Sequence, residues 1–247
     1  MNEIKSSTKV LLFSAVLMIV ILLTGPFGYK FGIVDLMPSL ISLLVALLGA
    51  VIVLIASLVF LVIAQKNGLA ADRNFLSAAL VLSLLPLLMV GPQIVTARSV
   101  PPIHDITTDT SEPPEFDVIV EHRVDALNSL DYGDEELPAE QLAALQAEAY
   151  PNVQPLTMSW SVEEAAAAAE AALKGLGMEV VNVDVEAGRV EATATTFWFG
   201  FKDDVVVRIR PDTEGVRIDI RSISRVGQSD LGANAARIES ILAALRS

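Results

Sequence analysis

Cysteine is absent from the 247 residues, which excludes disulfides, thiol catalysis and Cys-ligated zinc. Histidine occurs only at His104 and His122. No HxH, HExxH or EF-hand spacing is present, so the chain carries no metal motif, and neither metal nor cofactor is expected. A Gly-x-Ser-x-Gly nucleophile elbow is also missing, as is any internal repeat. Basic residues are scarce where acidic ones are not. Of 17 basic and 30 acidic side chains, residues 1–100 hold six and three, leaving 11 and 27 for residues 101–247, a net charge of −16. So acidic a region repels nucleic acid and anionic lipid, and neither is an expected partner for it.

Charge is missing altogether from three long stretches, about residues 10–29, 37–64 and 75–97. At about 1.5 Å per residue, even the shortest reaches roughly 30 Å, the thickness of a bilayer's hydrocarbon core. Lys5 and Lys9 before the first run resemble a signal peptide, but Gly25-Pro26-Phe27-Gly28 is no Ala-x-Ala cleavage site and two more spans follow. The spacing predicts three retained helices in an anchor over residues 1–99. None contains an ionisable residue that would mark a transport pathway. Ser42, Ala46 and Ala50 recur every four residues, a stripe suited to close helix packing. Pro86 is expected to kink the third helix. Lys5, Lys9, Lys66 and Arg73 flank one side against Lys30 and Arg98 on the other. The N-terminus is therefore expected in the cytoplasm and the acidic region in the periplasm, beyond a bacterial inner membrane.

Residues 100–117, rich in Asp, Thr and Pro, read as an extended linker carrying the run HDITTD. A soluble domain follows over residues 118–247. A helix is expected after Pro138, ending at Tyr150-Pro151, then a short strand within residues 153–160. Ser161-Val162-Glu163-Glu164 is a capping box ahead of an alanine-rich helix that stops at Gly175 and Gly177. The period then changes from helical to two. Val181, Val183 and Val185 alternate with polar residues, as do Val190, Ala192 and Ala194, then Val205, Val207 and Ile209, then Val216, Ile218 and Ile220. The run Phe197-Trp198-Phe199 is read as continuing the second of these strands. A last helix places Leu231, Ala235, Ile238, Ile241, Leu242 and Leu245 on one stripe. The predicted fold is three N-terminal transmembrane α-helices followed by an α+β domain. Its antiparallel sheet has about four strands, covered by helices on one face.

The segments IHDITTDTSEPPEF, FWFGFKDDVVVRIR and DIRSISRVGQSDLGANAARI resemble the signature segments of the family called domain of unknown function 1499 (DUF1499). The resemblance runs from about Ile103 to Leu245 and is most specific in the last segment. Some members also look similar in placing membrane helices ahead of the domain. The family supplies no catalytic or binding residues to carry over.

Two candidate sites follow from the chemistry of the residues. The first is an anion site made of Arg221, Ser222, Ser224, Arg225, Ser229, Asp230 and Asn234. Guanidinium forks, hydroxyls and a helix N-terminus together suit phosphate or carboxylate. Arg208, Arg210, Arg217 and Arg221 share one parity, so they are expected on the sheet face opposite the Val/Ile core. The competing reading pairs Arg225 with Asp230 and the strand arginines with Glu191 and Asp219, and the surplus of acids favours it. The second candidate is a polar cluster of His104, Asp105, Asp109, Asp203 and Asp204. Against it, aspartates of this kind also form turns and begin strands.

The leading functional reading is a membrane-anchored, extracytoplasmic binding or envelope-accessory module. Its partners would be the lipid bilayer and a membrane or envelope protein. One alternative is a hydrolase-type enzyme built from His104, the aspartates and the loop from Arg221 to Asp230. Another is a small-anion or lipid-binding module using the aromatic run as a pocket floor. The test between them is geometric: whether His104 and Asp105 lie beside Arg221, and whether the arginines are already paired.

Overall fold

The computed structural model describes residues 4–247. It forms two compact units: one ends at Thr96 and includes Phe197–Gly200, and the other comprises Ala97–Thr196 and Phe201–Ser247. The first unit is helical: α1 (Ser6–Lys30), α2 (Leu36–Lys66) and α3 (Ala70–Ser99) are each long and apolar enough to cross a membrane. Each extends past its uncharged run, because helical hydrogen bonding continues through the flanking polar residues. Helix α3 runs unbroken through Pro86 and Pro92.

The small-residue stripe packs as its spacing predicts. Ala46 and Ala50 are fully buried, and a Cβ added to Gly25 of α1 would fall 1.7 Å from the Ser42 hydroxyl of α2. Only glycine permits that approach. Asp72, in the first turn of α3, is buried and accepts hydrogen bonds from the Lys5 amide (3.0 Å) and the Thr8 hydroxyl (2.6 Å). It thereby satisfies donors at the start of α1 that have no partner within that helix.

The second unit is an α+β sheet domain. Its strands are β1 (Asp105–Thr107), β2 (Leu156–Met158), β3 (Glu179–Asp184), β4 (Arg189–Thr195), β5 (Lys202–Asp212) and β6 (Gly215–Ser224). Its helices are α4 (Ala139–Ala149), α5 (Val162–Gly175) and α6 (Ala233–Leu245). The sheet is antiparallel in the order β1-β6-β5-β4-β3, and β2 also pairs with β6. The expected count of about four strands thus becomes six. The two additions to the four alternating strands are three residues each, too short to show a period of two, and β2 is the short strand expected within residues 153–160. One of them, β1, comes from the stretch read as a linker. Its outer backbone is met by the Gln146 amide of α4, which accepts from Thr107 N (2.9 Å) and donates to Thr107 O (2.7 Å). A buried side chain here completes a sheet edge.

Helices α5 and α6 cover one face. Ala165, Ala169 and Leu173 of α5, with Ile238, Ile241 and Leu242 of α6, close over Val190, Val205, Val207, Ile218 and Ile220. The Ser161–Glu164 capping box forms as expected, with both reciprocal hydrogen bonds present. The β3 alternation is interrupted. A bulge between Val180 and Asn182 shifts the register, so Val180 reaches the core while Val183 and Val185 are exposed. Leu231 is not part of α6. It takes a left-handed φ of 56° ahead of the Gly232 N-cap.

The other sheet face is covered as well. Residues 109–130, with one 3-10 helix at Val118–His122 as their only regular element, lie across it as a strap. Beneath the strap the sheet carries Asp204, Arg208, Arg210, Arg217, Asp219 and Arg221, with only Val206 and Ile223 as buried aliphatic side chains among them.

Candidate functional site

Strand alternation decides where each singled-out residue goes. In β6, Ser222 and Ser224 face the helices, whereas Arg217, Asp219 and Arg221 face the strap; in β5, Asp203 and Asp204 part in the same way. The seven residues of the anion candidate are therefore divided between two faces.

On the helix side, Ser222 Oγ donates to Asn234 Oδ1 (2.6 Å) and Asn234 Nδ2 donates to Ser224 Oγ (3.0 Å). Arg237 reaches Ser222 Oγ (2.9 Å) and pairs with Asp203 (2.6 Å). Asn234 Nδ2 also donates to the His104 carbonyl at 2.9 Å. Asp230 accepts from the Gly232 and Asn234 amides, both at 2.8 Å. Burial pushes its carboxyl above the ordinary value, and the nearby Asp203 charge adds to that against the opposing amides. Ser229 accepts from Leu231 N at 3.3 Å. Arg225 does not pair with Asp230.

On the strap side, three ionic groups hold the covering segment down. Arg221 takes Asp105 in a two-bond fork and also donates to the carbonyls of Pro114 (3.3 Å) and Leu130 (2.7 Å). The wholly buried Asp204 receives both Arg123 (2.5 Å) and Arg225 (2.9 and 2.8 Å), with the Thr193 hydroxyl at 2.8 Å. Burial lowers the Arg123 pKa, and the Asp204 partner opposes that shift. Arg208, Arg210 and Arg217 converge on Asp109 and Asp219 over 2.9–3.2 Å, and Arg210 also takes Glu112. Glu191 pairs with no arginine. It accepts from the Asp117 and Val118 amides at 2.7 and 3.0 Å, and so satisfies the start of the 3-10 helix.

The geometric test thus gives a divided answer. His104 and Asp105 do lie beside Arg221, which stands in β6 and not in the expected loop, since Asp105 is opposite Ile223 and the His104 carbonyl accepts from Ser224 N at 3.0 Å. They line a cleft of about 270 Å³ with Ile103, Asn128, Asp131 and Asp134. The arginines, however, are engaged. The five residues of the second candidate do not meet, because Asp105, Asp109, Asp203 and Asp204 each belong to a different ion pair. Among the described residues no group of three or more His, Asp or Glu is placed to hold a metal. The aromatic run is a turn between β4 and β5, not a strand flooring a pocket.

Sequence reasoning missed Arg123, Arg237, Asn128 and Gln146. Arg123 had a signal: it is the one basic residue between Arg98 and Lys174, and an isolated cation in an acidic stretch has carboxylates to meet. Arg237 lies one helical turn after Asn234, on the same face. Nothing local marks Gln146. Tyr132, beside Arg221, has a buried hydroxyl without a hydrogen-bond partner among the described residues. Burial, and then the Asp105 charge, push its ionisation upward.

No curated protein and no solved structure matches this chain. A family model described as a protein of unknown function, DUF1499, matches residues 105–245. That span runs from the first residue of β1 to the last residue of α6 and takes in the whole ionic layer. The chain therefore belongs to the DUF1499 family.

Proposed function

We propose that this protein is a membrane-anchored interaction module, held on the extracytoplasmic side of a bacterial inner membrane, that works through a protein partner in the envelope rather than by catalysis. One observation carries the reading. The arginines and aspartates that resemble a reactive site are paired with one another and fasten the strap to the sheet, so their chemistry is spent on shape. Among the side chains that the strap presents outward, beside exposed Glu112, Glu115, Asp117, Glu121 and Asp125, are three apolar ones: Val120 is 52%, Val124 88% and Leu127 77% exposed. Exposed side chains of this kind on a firmly held segment suit contact with another protein. The basic flanks Lys5, Lys9, Lys66 and Arg73 support a cytoplasmic N-terminus, and three crossings then carry the module to the opposite side.

The absence of cysteine makes the test clean. Leu127→Cys in the full chain should react with a membrane-impermeant maleimide in intact spheroplasts, and Lys66→Cys should react only after the membrane is opened. The reverse pattern overturns the orientation. A photo-crosslinking residue at position 124 or 127 should capture a discrete membrane protein that one at position 174, on the exposed side of α5, does not. Equal products from both places would defeat the interaction reading.

The cleft beside His104 favours a second reading, in which a small polar ligand binds between β1 and the strap. Saturable thermal stabilisation of the full chain by a small anion or divalent metal, lost in His104→Ala, would replace the first reading with this one.

A further inference from the structure

Between β4 and β5 the chain turns through Thr-Phe-Trp-Phe-Gly-Phe, residues 196–201. The turn is tightly closed. Thr196 N donates to Phe201 O at 2.8 Å, and Phe201 N donates to Thr196 Oγ1 at 2.9 Å. Hairpin turns ordinarily carry Gly, Asn, Asp or Ser, and this one carries four aromatics in five residues of a chain that is 6% aromatic. Phe197 is 69% and Trp198 is 36% exposed. Large apolar rings left this exposed are unfavourable in water alone.

Its company explains it. Phe197–Gly200 belong to the same compact unit as the membrane-crossing helices. The Phe197 ring stands edge-on to Phe27 with centroids 5.9 Å apart, and Trp198 lies 5.4 Å from Phe27. Lys30 Nζ donates to the Phe197 carbonyl at 2.9 Å and sits 5.2 Å from its ring. Phe27 and Lys30 are in the last turn of α1, where an apolar span gives way to charge. Rings with one wet edge next to a lysine are what the boundary between acyl chains and headgroups selects. Crossing number agrees: after three spans the α1 end and the C-terminal end of α3 emerge on the same side of the bilayer.

We infer that the β4–β5 turn is a second membrane contact, an interfacial anchor whose Phe197 and Trp198 rings enter the lipid boundary beside Lys30. The inference rests on the three-helix membrane anchor and not on the proposed protein partner. Its ligand is the apolar boundary of a lipid bilayer rather than any anionic headgroup, since the acidic domain repels the latter.

The chain has two tryptophans, Trp160 and Trp198, and Trp160 packs against the domain core. In the full chain carrying Trp160→Phe, reconstituted into phosphatidylcholine vesicles, Trp198 is then the only indole. Bromine placed near the carboxyl end of the acyl chains should quench its emission strongly, deep bromine should quench less, and aqueous iodide should quench little. Ready quenching by iodide with none by brominated lipid would overturn the inference. Protection from both quenchers would overturn it too, by showing the ring enclosed in protein. If Trp160→Phe fails to fold, the same difference is read between the unaltered protein and Trp198→Phe. Resistance to alkaline carbonate extraction reports separately on the helices, so a failed anchor and a failed turn contact are distinguishable.

Discussion

Arg221 and Asp105 face each other through two parallel hydrogen bonds, Nε to Oδ1 at 3.0 Å and Nη2 to Oδ2 at 2.7 Å, with only 3% and 4% of the two side chains exposed. Their strands are neighbours, but the residues are 116 positions apart in the chain. Removing one member leaves a buried charge without its counterion, which costs about 3–5 kcal/mol. Arg221→Ala and Asp105→Ala should therefore each lower the denaturation midpoint of the detergent-solubilised chain sharply. The double change Arg221→Met with Asp105→Leu should recover much of the loss. Arg221→Lys should not, since an ammonium cannot make the fork.

Asp204 holds two guanidiniums, one from the strap and one from the turn after β6. Asp204→Asn should loosen the strap before it loosens the sheet. Hydrogen exchange should rise across the 3-10 helix and residues 123–130 while α5 and α6 keep their protection. A uniform rise over the whole domain would contradict a strap fastened by separate ionic groups.

Acid should act through Asp109. Burial raises its pKa, but the Ser111 hydroxyl, the Glu112 amide and Arg217 outweigh that and hold the carboxyl below its ordinary 3.8. Because the folded value lies under the unfolded one, the stabilisation is present above 3.8 and is lost as pH falls through the folded value. Asp230 has the opposite sign: its raised carboxyl contributes stability that is lost as pH rises through the folded value. Thermal midpoints measured against pH should show Asp109→Asn flattening the acid limb. Asp230→Asn should instead remove the decline on the high-pH side, while losing one of the two amide hydrogen bonds that the carboxylate accepts.

Ser161→Ala removes the side-chain half of a complete capping box at the start of α5. A loss of about 1 kcal/mol in urea denaturation is expected. Glu164→Ala in the same background should add little, because the two residues act as one cap.

Gly188 closes the β3–β4 turn with φ of 61°, and a Cβ there would lie 2.2 Å from the Ile209 carbonyl oxygen. The backbone term alone is worth roughly 1–2 kcal/mol, and the contact is with backbone, which cannot rotate away. Gly188→Ala should therefore destabilise more than Ser161→Ala in the same assay. Gly175→Ala, with open space around it, should be nearly silent.

Features repeated at short range were legible in the chain. Uncharged runs long enough to cross a bilayer, the Ser161–Glu164 cap, and the period of two in β4, β5 and β6 are each set by backbone geometry acting over a few residues. The parity argument that put Arg208, Arg210, Arg217 and Arg221 opposite the Val/Ile core held for the same reason. The β3 bulge escaped it because an inserted residue leaves no local mark.

The sequence by itself determined that a membrane anchor precedes an acidic α+β domain with arginines on one sheet face. Only the tertiary structure decided which carboxylate each arginine takes, because one aspartate in a linear chain is interchangeable with another. It also decided that Ser222 and Arg221 point apart, that the HDITTD stretch becomes an edge strand, and that residues 109–130 roof the charged face. These are contacts between positions as much as 116 residues apart. They form only where desolvation makes an unpaired charge more costly than the ordering of the strap.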